Sequence, residues 1–243
     1  MVDKSDQADQ TDLTEKMVKI LSPFFCATRL AIVADAASIL SCTNDAYVAD
    51  TFFKKVEYHN RFTMKDVIDM IAAPESTFLV ATTAIGEAET VCGSLYLTWK
   101  STPTDYSEKT EIIGKFSAVA VRNEFQQRGI GNLLVRAAED HIISLAKRSD
   151  DTIKEAEEKQ PSGTKIRAVI TMGVINLRED LFPWYAKQGF KVVGEVGHDP
   201  EVLRIVKEGY EHVCLIQMEK VLIPSCHLDP CDSTITAPFK HPI

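Results

Sequence analysis

Phe116-Ser-Ala-Val-Ala-Val-Arg-Asn-Glu-Phe-Gln-Gln-Arg-Gly-Ile-Gly-Asn-Leu-Leu-Val135 is the stretch whose reading decides the fold. An apolar, β-branched segment stops at Val121. A short polar turn follows, and two glycines separated by one residue lead into a helical apolar pattern. The stretch predicts a strand, a glycine loop and a helix N-terminus in immediate succession. The first turn of a helix carries N–H groups without intrahelical partners, so this arrangement offers several main-chain donors to an anion. Gly129 and Gly131 lack a Cβ and let a ligand approach the main chain. A phosphorylated ligand is the expected occupant.

Spacing narrows which one. A P-loop ends in Gly-Lys-Ser/Thr, whereas Gly131 is followed by Asn132 and Leu133. A dinucleotide fingerprint starting at Gly129 would need a third glycine where Leu134 stands, and no strand-glycine-helix unit opens the chain.

The rest of the chain supplies the frame. Residues 1–15 are polar and expected to be flexible, and residues 16–220 form the expected domain. Lys16 to Phe25 suggests a short helix, and Cys26 to Val33 reads as a strand. Asp35 is placed to cap a helix over Ala36 to Val48. Thr63-Met-Lys-Asp66 approximates a capping box, with Val67, Ile68 and Ile71 at helical spacing before Pro74. Strands are expected over about Thr77 to Thr82, Thr90 to Trp99 and Ile112 to Val121, the first two joined through Ile85-Gly-Glu-Ala-Glu. Lys100 to Thr110 is a long polar loop.

After the glycine loop, Ile130, Leu133, Leu134, Ala137, His141, Ile142 and Leu145 share one helical face, with His141 read as a satisfied core-edge residue. Residues 149–164 are a charged insertion or helix extension. Ile166 to Val174 reads as a buried strand, Leu181 to Gln188 as a helix capped by Gly189, and Phe190 to Val196 and Tyr210 to Lys220 as strands. Residues 221–243 form a proline-bearing tail.

Composition is that of a globular protein: 243 residues, 45% apolar and 26% charged. The 27 basic against 35 acidic residues give a net charge of −8, which argues against a nucleic-acid partner. No segment approaches a membrane span and the N-terminus has no signal-peptide profile, so a cytoplasmic or nuclear location is expected. Cys26, Cys42, Cys92 and Cys214 sit mostly in apolar runs and read as small buried hydrophobes in a reducing compartment. Cys226 and Cys231, with His227, make a poor zinc site, and no metal is expected.

Gln126-x-x-Gly129-x-Gly131, preceded by Val119-Ala-Val121, resembles the acyl-CoA-binding motif of the GCN5-related N-acetyltransferase (GNAT) superfamily, commonly written Arg/Gln-x-x-Gly-x-Gly/Ala. Arg29-x-Ala31-x-x-x-Asp35 resembles the family's first strand and its turn into a helix. Phe182-Pro-Trp-Tyr-Ala-Lys-Gln-Gly-Phe190 resembles its Tyr-x-x-x-Gly-Phe block. With the order of elements, the resemblance covers roughly Phe25 to Glu219. It implies an α+β (α/β) fold with a mixed, mostly antiparallel central sheet of about six to seven strands flanked by about four helices.

The same resemblance implies a chemistry: acetyl transfer from acetyl-CoA to an amine on a small molecule, peptide or protein, by a monomer or homodimer. The pantetheine would lie along Val119, Ala120 and Val121 as a pseudo-strand, with the strand ending near Val174 to Asn176 as the opposite wall. The pyrophosphate would rest on the N–H groups of Gln127, Arg128, Gly129, Ile130, Gly131 and Asn132, with Gln126 adding a side-chain contact and Arg128 either adding one or standing as an exposed loop charge. Asn176 would bond the pantetheine or the helix entrance, although its spacing from Tyr185 is offset by Arg178-Glu179-Asp180. Tyr185 is the expected general acid, since a phenol of pKa about 10 can protonate a thiolate of similar basicity.

Glu111, at the start of the fourth strand, is the candidate general base, the alternatives being that it is a solvated strand-end charge and that the family resemblance implies a route through water. Acceptor recognition is expected in Tyr47 to Arg61, Lys100 to Thr110 and Gly197 to Gly209, with acidic residues such as Asp50 and Glu57 read either as attracting an amine or a basic peptide or as scattered surface charge. A non-catalytic acyl-CoA-binding module and an acyltransferase with another acyl donor or a hydroxyl acceptor are the alternative readings.

Overall fold

The computed structural model describes residues 25–85, 88–103, 109–157, 165–196 and 200–223. Seven strands form one mostly antiparallel sheet: β1 (Ala27–Leu30), β2 (Ser76–Ile85), β3 (Ala88–Pro103), β4 (Lys109–Val121), β5 (Lys165–Ile175), β6 (Lys191–Val196) and β7 (Leu215–Ile223), in the order β1-β2-β3-β4-β5-β7-β6. The described residues also include five α-helices: α1 (Ala36–Ala46), α2 (Met64–Ala72), α3 (Ile130–Glu157), α4 (Leu181–Ala186) and α5 (Pro200–Ile205). The β1–β2, β5–β7 and β6–β7 pairs are antiparallel and β4–β5 is parallel. The expected fold class is the observed one.

Two compact units emerge from the packing. The first comprises the described residues of Met1–Leu97, Ser117–Ala137 and Leu203–Glu211. Its core gathers Ala31, Ala36, Ile39, Val67, Phe78, Val80 and Val91, with Phe62 and Tyr96 packed against Phe78 at ring separations of 6.1 and 4.9 Å. Burying each large side chain of this kind contributes about 1.5–3 kcal/mol. The second unit comprises the described residues of Thr98–Phe116, Ala138–Val202 and His212–Ile243. Its centre is an aromatic trio, Phe116, Tyr185 and Phe190, with centroids 5.6–6.1 Å apart.

Two glycines set close approaches. In the first unit a Cβ at Gly93 would stand 2.9 Å from the Ala120 carbonyl and 3.1 Å from Ile130. In the second, one at Gly114 would stand 2.6 Å from Ile142, so α3 settles on β4 only because that side chain is missing.

Several boundaries move, each for a visible reason. β1 ends at Leu30 because the Ile32 N–H donates to Asp35 Oδ2 at 2.8 Å and turns the chain into a 3-10 segment, Val33–Asp35. Asp35 therefore does not cap α1 with its side chain: its carboxylate also accepts two bonds from Arg29, at 2.7 and 3.0 Å. The Thr63–Asp66 capping box forms as expected, Thr63 N–H donating to Asp66 Oδ2 at 2.8 Å and Asp66 N–H to Thr63 Oγ1 at 3.2 Å. The charged segment from Ser149 continues α3 to Glu157, and residues 158–164 lie outside the described residues.

At the second unit's far end, α4 closes with Gly189 left-handed at φ 92° and Phe190 N–H donating to Tyr185 O, as a Schellman cap requires. β7 starts at Leu215 rather than Tyr210, since the preceding chain turns at Lys207–Tyr210 and is then held by Asn176. Helix α5 was not legible within the expected acceptor segment. The expected helix at Lys16–Phe25, all but Phe25, and the 224–243 tail with Cys226, His227 and Cys231 lie outside the described residues.

The Arg29–Asp35 pair yields a pH prediction. Hydrogen bonding to Arg29, and then to the Ile32 N–H, holds the Asp35 carboxyl below its ordinary value. Stability from a lowered carboxyl is present above the unfolded value of about 3.9 and is lost as pH falls through the native value. Asp35→Asn is expected to unfold at lower urea concentration at about pH 7 and to lose less further stability below about pH 4 than the parent chain. Urea titrations across that range read both.

Candidate active site

In the first unit β4 ends at Val121 and a 3-10 turn, Asn123–Phe125, leads into the glycine loop. Phe125 is buried and anchors this turn, and the Arg128 guanidinium lies over its ring at 5.9 Å. Gln126 is exposed, and its amide closes the loop from within, donating to Val121 O at 3.1 Å and to Asn123 Oδ1 at 3.0 Å. Gln127 and Gly129 are left-handed, at φ 60° and 79°, on either side of Arg128. Such alternation turns successive N–H groups toward one side, which makes an anion-binding concavity.

The α3 ladder starts with Leu133 N–H donating to Gly129 O at 3.0 Å. The N–H groups of Ile130, Gly131 and Asn132 precede that bond and have no intrahelical acceptor. A Cβ built on Gly129 meets nothing within 4 Å, so the space in front of its main chain is open. Residues 126–129 are all exposed. Exposed donors, open space and the positive end of a 28-residue helix suit a phosphate-bearing group.

Two residues that sequence reasoning missed shape the strand leading to this loop. Ala118 is left-handed, φ 51°, inside β4, where a non-glycine residue pays roughly 1–3 kcal/mol of backbone strain. Its sequence neighbours gave no warning, since alanine is silent about φ. Gly93 is the second, and a glycine inside a strand was a readable signal. Next to it, Cys92 O accepts from the Arg122 N–H at 3.0 Å, which pins the residue after β4. A cavity of about 400 Å³, lined by Asp45, Val48, Val121, Arg122 and Glu124, adjoins the same strand end.

The second unit holds Glu111, Asn176 and Tyr185. The β4–β5 ladder runs from Lys109–Lys165 to Lys115–Thr171, while β4 continues to Val121 and β5 to Ile175. Tyr185 is 5% exposed and packs against Trp184 at 4.5 Å, Phe190 at 5.9 Å and Phe116 at 6.1 Å. Asn176 follows β5 directly: its Nδ2 donates to His212 O at 3.0 Å and its Oδ1 accepts from Cys214 N–H at 3.2 Å. Its amide thus ties the end of β5 to the chain entering β7.

Glu111 accepts from the Arg167 Nη1–H, opposite it on β5, and Arg167 Nη2 also donates to Glu219 at 3.2 Å. Glu111 and Phe116 have opposite parity on β4, so they leave the sheet on opposite faces. The structure therefore does not bring Glu111 to Tyr185, which packs on Phe116, and gives it the place of an ion-pair partner.

Two further expectations change. Asp50 is buried and accepts from Lys54 Nζ at 3.3 Å, so its carboxylate faces an internal cation instead of solvent. Burial lowers the Lys54 pKa, and the Asp50 carboxylate opposes that shift. His141 lies 5.0 Å from Trp99, and its buried Nε2 has no hydrogen-bond partner among the described residues, so it is not the satisfied histidine expected. Burial, and then Arg148, push its pKa down. The described residues hold no group of three or more His, Cys, Asp or Glu able to hold a metal, and no helix among them is long and apolar enough to cross a membrane.

NAA60 from Arabidopsis thaliana, in complex with acetyl-CoA, is 12% identical with a TM-score of 0.52, over 81% of this chain and 98% of that one. The smu.2055 protein of Streptococcus mutans UA159 is 14% identical with a TM-score of 0.52, over 81% and 99%. yncA from Salmonella typhimurium, a putative acetyltransferase with its cofactor acetyl-CoA, is 18% identical with a TM-score of 0.50, over 85% and 99%. No protein-family profile and no curated protein sequence matches the chain. The chain has the fold of the GCN5-related N-acetyltransferase superfamily.

The close approach at Gly93 is open to a direct check. Gly93→Val inserts a branched side chain against Ala120 O, Ile130 and Leu134, where overpacking costs about 1–3 kcal/mol. A lower midpoint in urea with an unchanged slope is expected, whereas an unchanged midpoint would mean that β3 and β4 tolerate more separation than the structure has.

Proposed function

We propose that the protein is an acetyl-CoA-dependent N-acetyltransferase, transferring acetyl to an amine on a small molecule, peptide or protein. The observation that carries this reading is the left-handed pair Gln127 and Gly129 at the mouth of α3, with open space before the glycine. When bound, acetyl-CoA supplies a thioester activated for attack by an amine. The N–H groups of residues 127–132 hold its diphosphate oxygens, and each such charge-assisted bond contributes about 1–3 kcal/mol. Gln126 keeps the loop closed through Val121 O and Asn123 and so acts by positioning. The β4 main chain from Val119 to Val121 offers peptide groups to the pantetheine.

Tyr185 holds the proton for the leaving sulfur. The proposal rests on its place in the Tyr-x-x-x-Gly-Phe block and on a backbone fixed by the Gly189 cap. Its ring is wedged among Phe116, Trp184 and Phe190, so it has little freedom to turn. Asn176 holds the end of β5 against residues 212–214, a positioning role. Glu111, engaged by Arg167, is not assigned the part of the base, and the amine proton leaves to water.

Binding and turnover test these roles separately. Gly129→Ala places a Cβ on a left-handed residue at about 1–2 kcal/mol, and acetyl-CoA affinity measured by calorimetry should fall about tenfold or more. Tyr185→Phe should keep the thermal midpoint and acetyl-CoA affinity while lowering kcat in a thiol-release assay with a panel of amines. Unchanged kcat removes Tyr185 from the mechanism. Tight acetyl-CoA binding with no thiol release on any amine removes N-acetyl transfer itself.

A further inference from the structure

Cys26 and Cys92 are 66 positions apart in the chain, yet their sulfurs are 3.5 Å apart. Cys26 immediately precedes the edge strand β1, and Cys92 lies on β3, so the pair reaches across β2 within the first unit. The two sulfurs differ in access: Cys26 is half-buried and Cys92 is 0% exposed. The Cys92 thiol donates to Ala81 O at 3.1 Å, which fixes its rotamer with the sulfur toward Cys26. Both are thiols in the structure.

We propose that Cys26 and Cys92 form a reversible intramolecular disulfide on exposure to a hydroperoxide, a modification site that staples the edge strand to the sheet interior. In the first step the Cys26 sulfur attacks a peroxide oxygen. An S–O bond forms, the O–O bond breaks, an alcohol or water leaves, and sulfur is oxidised by two electrons to the sulfenic acid. In the second step Cys92 sulfur attacks the Cys26 sulfur. The S–S bond forms, the S–O bond breaks, and the hydroxide leaves as water with the Cys92 proton. The balance is two thiols and one hydroperoxide giving one disulfide, one alcohol and one water.

The order of the steps follows from the surroundings. Burial, and then the neighbouring Cys26 thiol, push the Cys92 thiol up to about 12, which makes it a poor first reactant. Oxidising Cys26 removes that neighbouring thiol and places an electrophilic sulfur in its stead. The sulfurs lie about 1.5 Å beyond bonding distance, and because the pair spans β2, closing the bond also draws the chain entering β1 toward β3. Among the described residues edge strand β1, of four residues, pairs only with β2, so a covalent tie at its entrance restrains a short edge of the sheet.

The test is limited hydrogen peroxide treatment of the folded protein, alkylation of remaining thiols, and peptide mass spectrometry without reduction. A Cys26–Cys92 linked peptide, two hydrogens lighter than the sum, is expected as the main product. It should revert with dithiothreitol, disappear in Cys26→Ser, and lose its preference over other pairings when oxidation is run in urea. Cys26 is half-buried, so Cys26→Ser keeps the fold and the test does not depend on replacing buried Cys92. Cys26 carried to the sulfinic acid with Cys92 still alkylatable overturns the proposal, as does equal pairing among the cysteines in the folded protein. Neither outcome bears on acetyl-CoA binding or turnover.

Discussion

The left-handed backbone at Gln127 and Gly129 is the constraint on which the candidate site depends. A strand that ended in an ordinary turn would aim its next helix without gathering N–H groups on one side. With φ of 60° and 79° flanking Arg128, the loop instead delivers its donors together and then enters α3 with Gly129 O as the first acceptor. Glycine meets the geometry at one of the two positions at little cost, and Gln127 meets it with strain. The loop tolerates that strain because it is held elsewhere: Phe125 is buried beneath it, and the Gln126 amide ties it back to Val121 and Asn123.

Close packing supports the same strand. A Cβ on Gly93 would stand 2.9 Å from Ala120 O, and the Arg122 N–H reaches Cys92 O, so β3 and the end of β4 are held close. In the second unit Gly114 lets Ile142 press against β4, and Phe116 packs with Tyr185 and Phe190. The strand carrying the proposed cofactor contacts is thus positioned by missing side chains as much as by present ones. That is a rigid basis, since a close-packed interior resists even a single added methyl group.

Charge is arranged differently from what the bulk balance of −8 suggests. Asp35 faces Arg29, Asp50 faces Lys54, and Glu111 and Glu219 share Arg167. Asp50, read as one of the charges that could attract an amine, and Glu111, read as the candidate base, are thus engaged in ion pairs. Net charge is a property of the whole surface, and it says little about a site until the partners of each group are known.

Sequence by itself determined what depends on neighbours within a few residues. The strand–glycine–helix run from Phe116 to Val135, the Thr63–Asp66 box and the Gly189 cap were legible because their hydrogen bonds close within one turn of chain. The order of most strands and helices followed from the same local periodicity, and the resemblance that this order supports implied the fold class. Tertiary structure alone decided the rest. It set Asp35 against Arg29 instead of on α1, gave Glu111 to Arg167, and turned Ala118 left-handed. It started β7 after the Asn176 clamp and brought Cys26 to Cys92 across β2. Apart from the Arg29–Asp35 pair, six residues apart, each of these rests on a partner distant in sequence or on a backbone angle imposed by packing, and a side chain's identity carries no record of either.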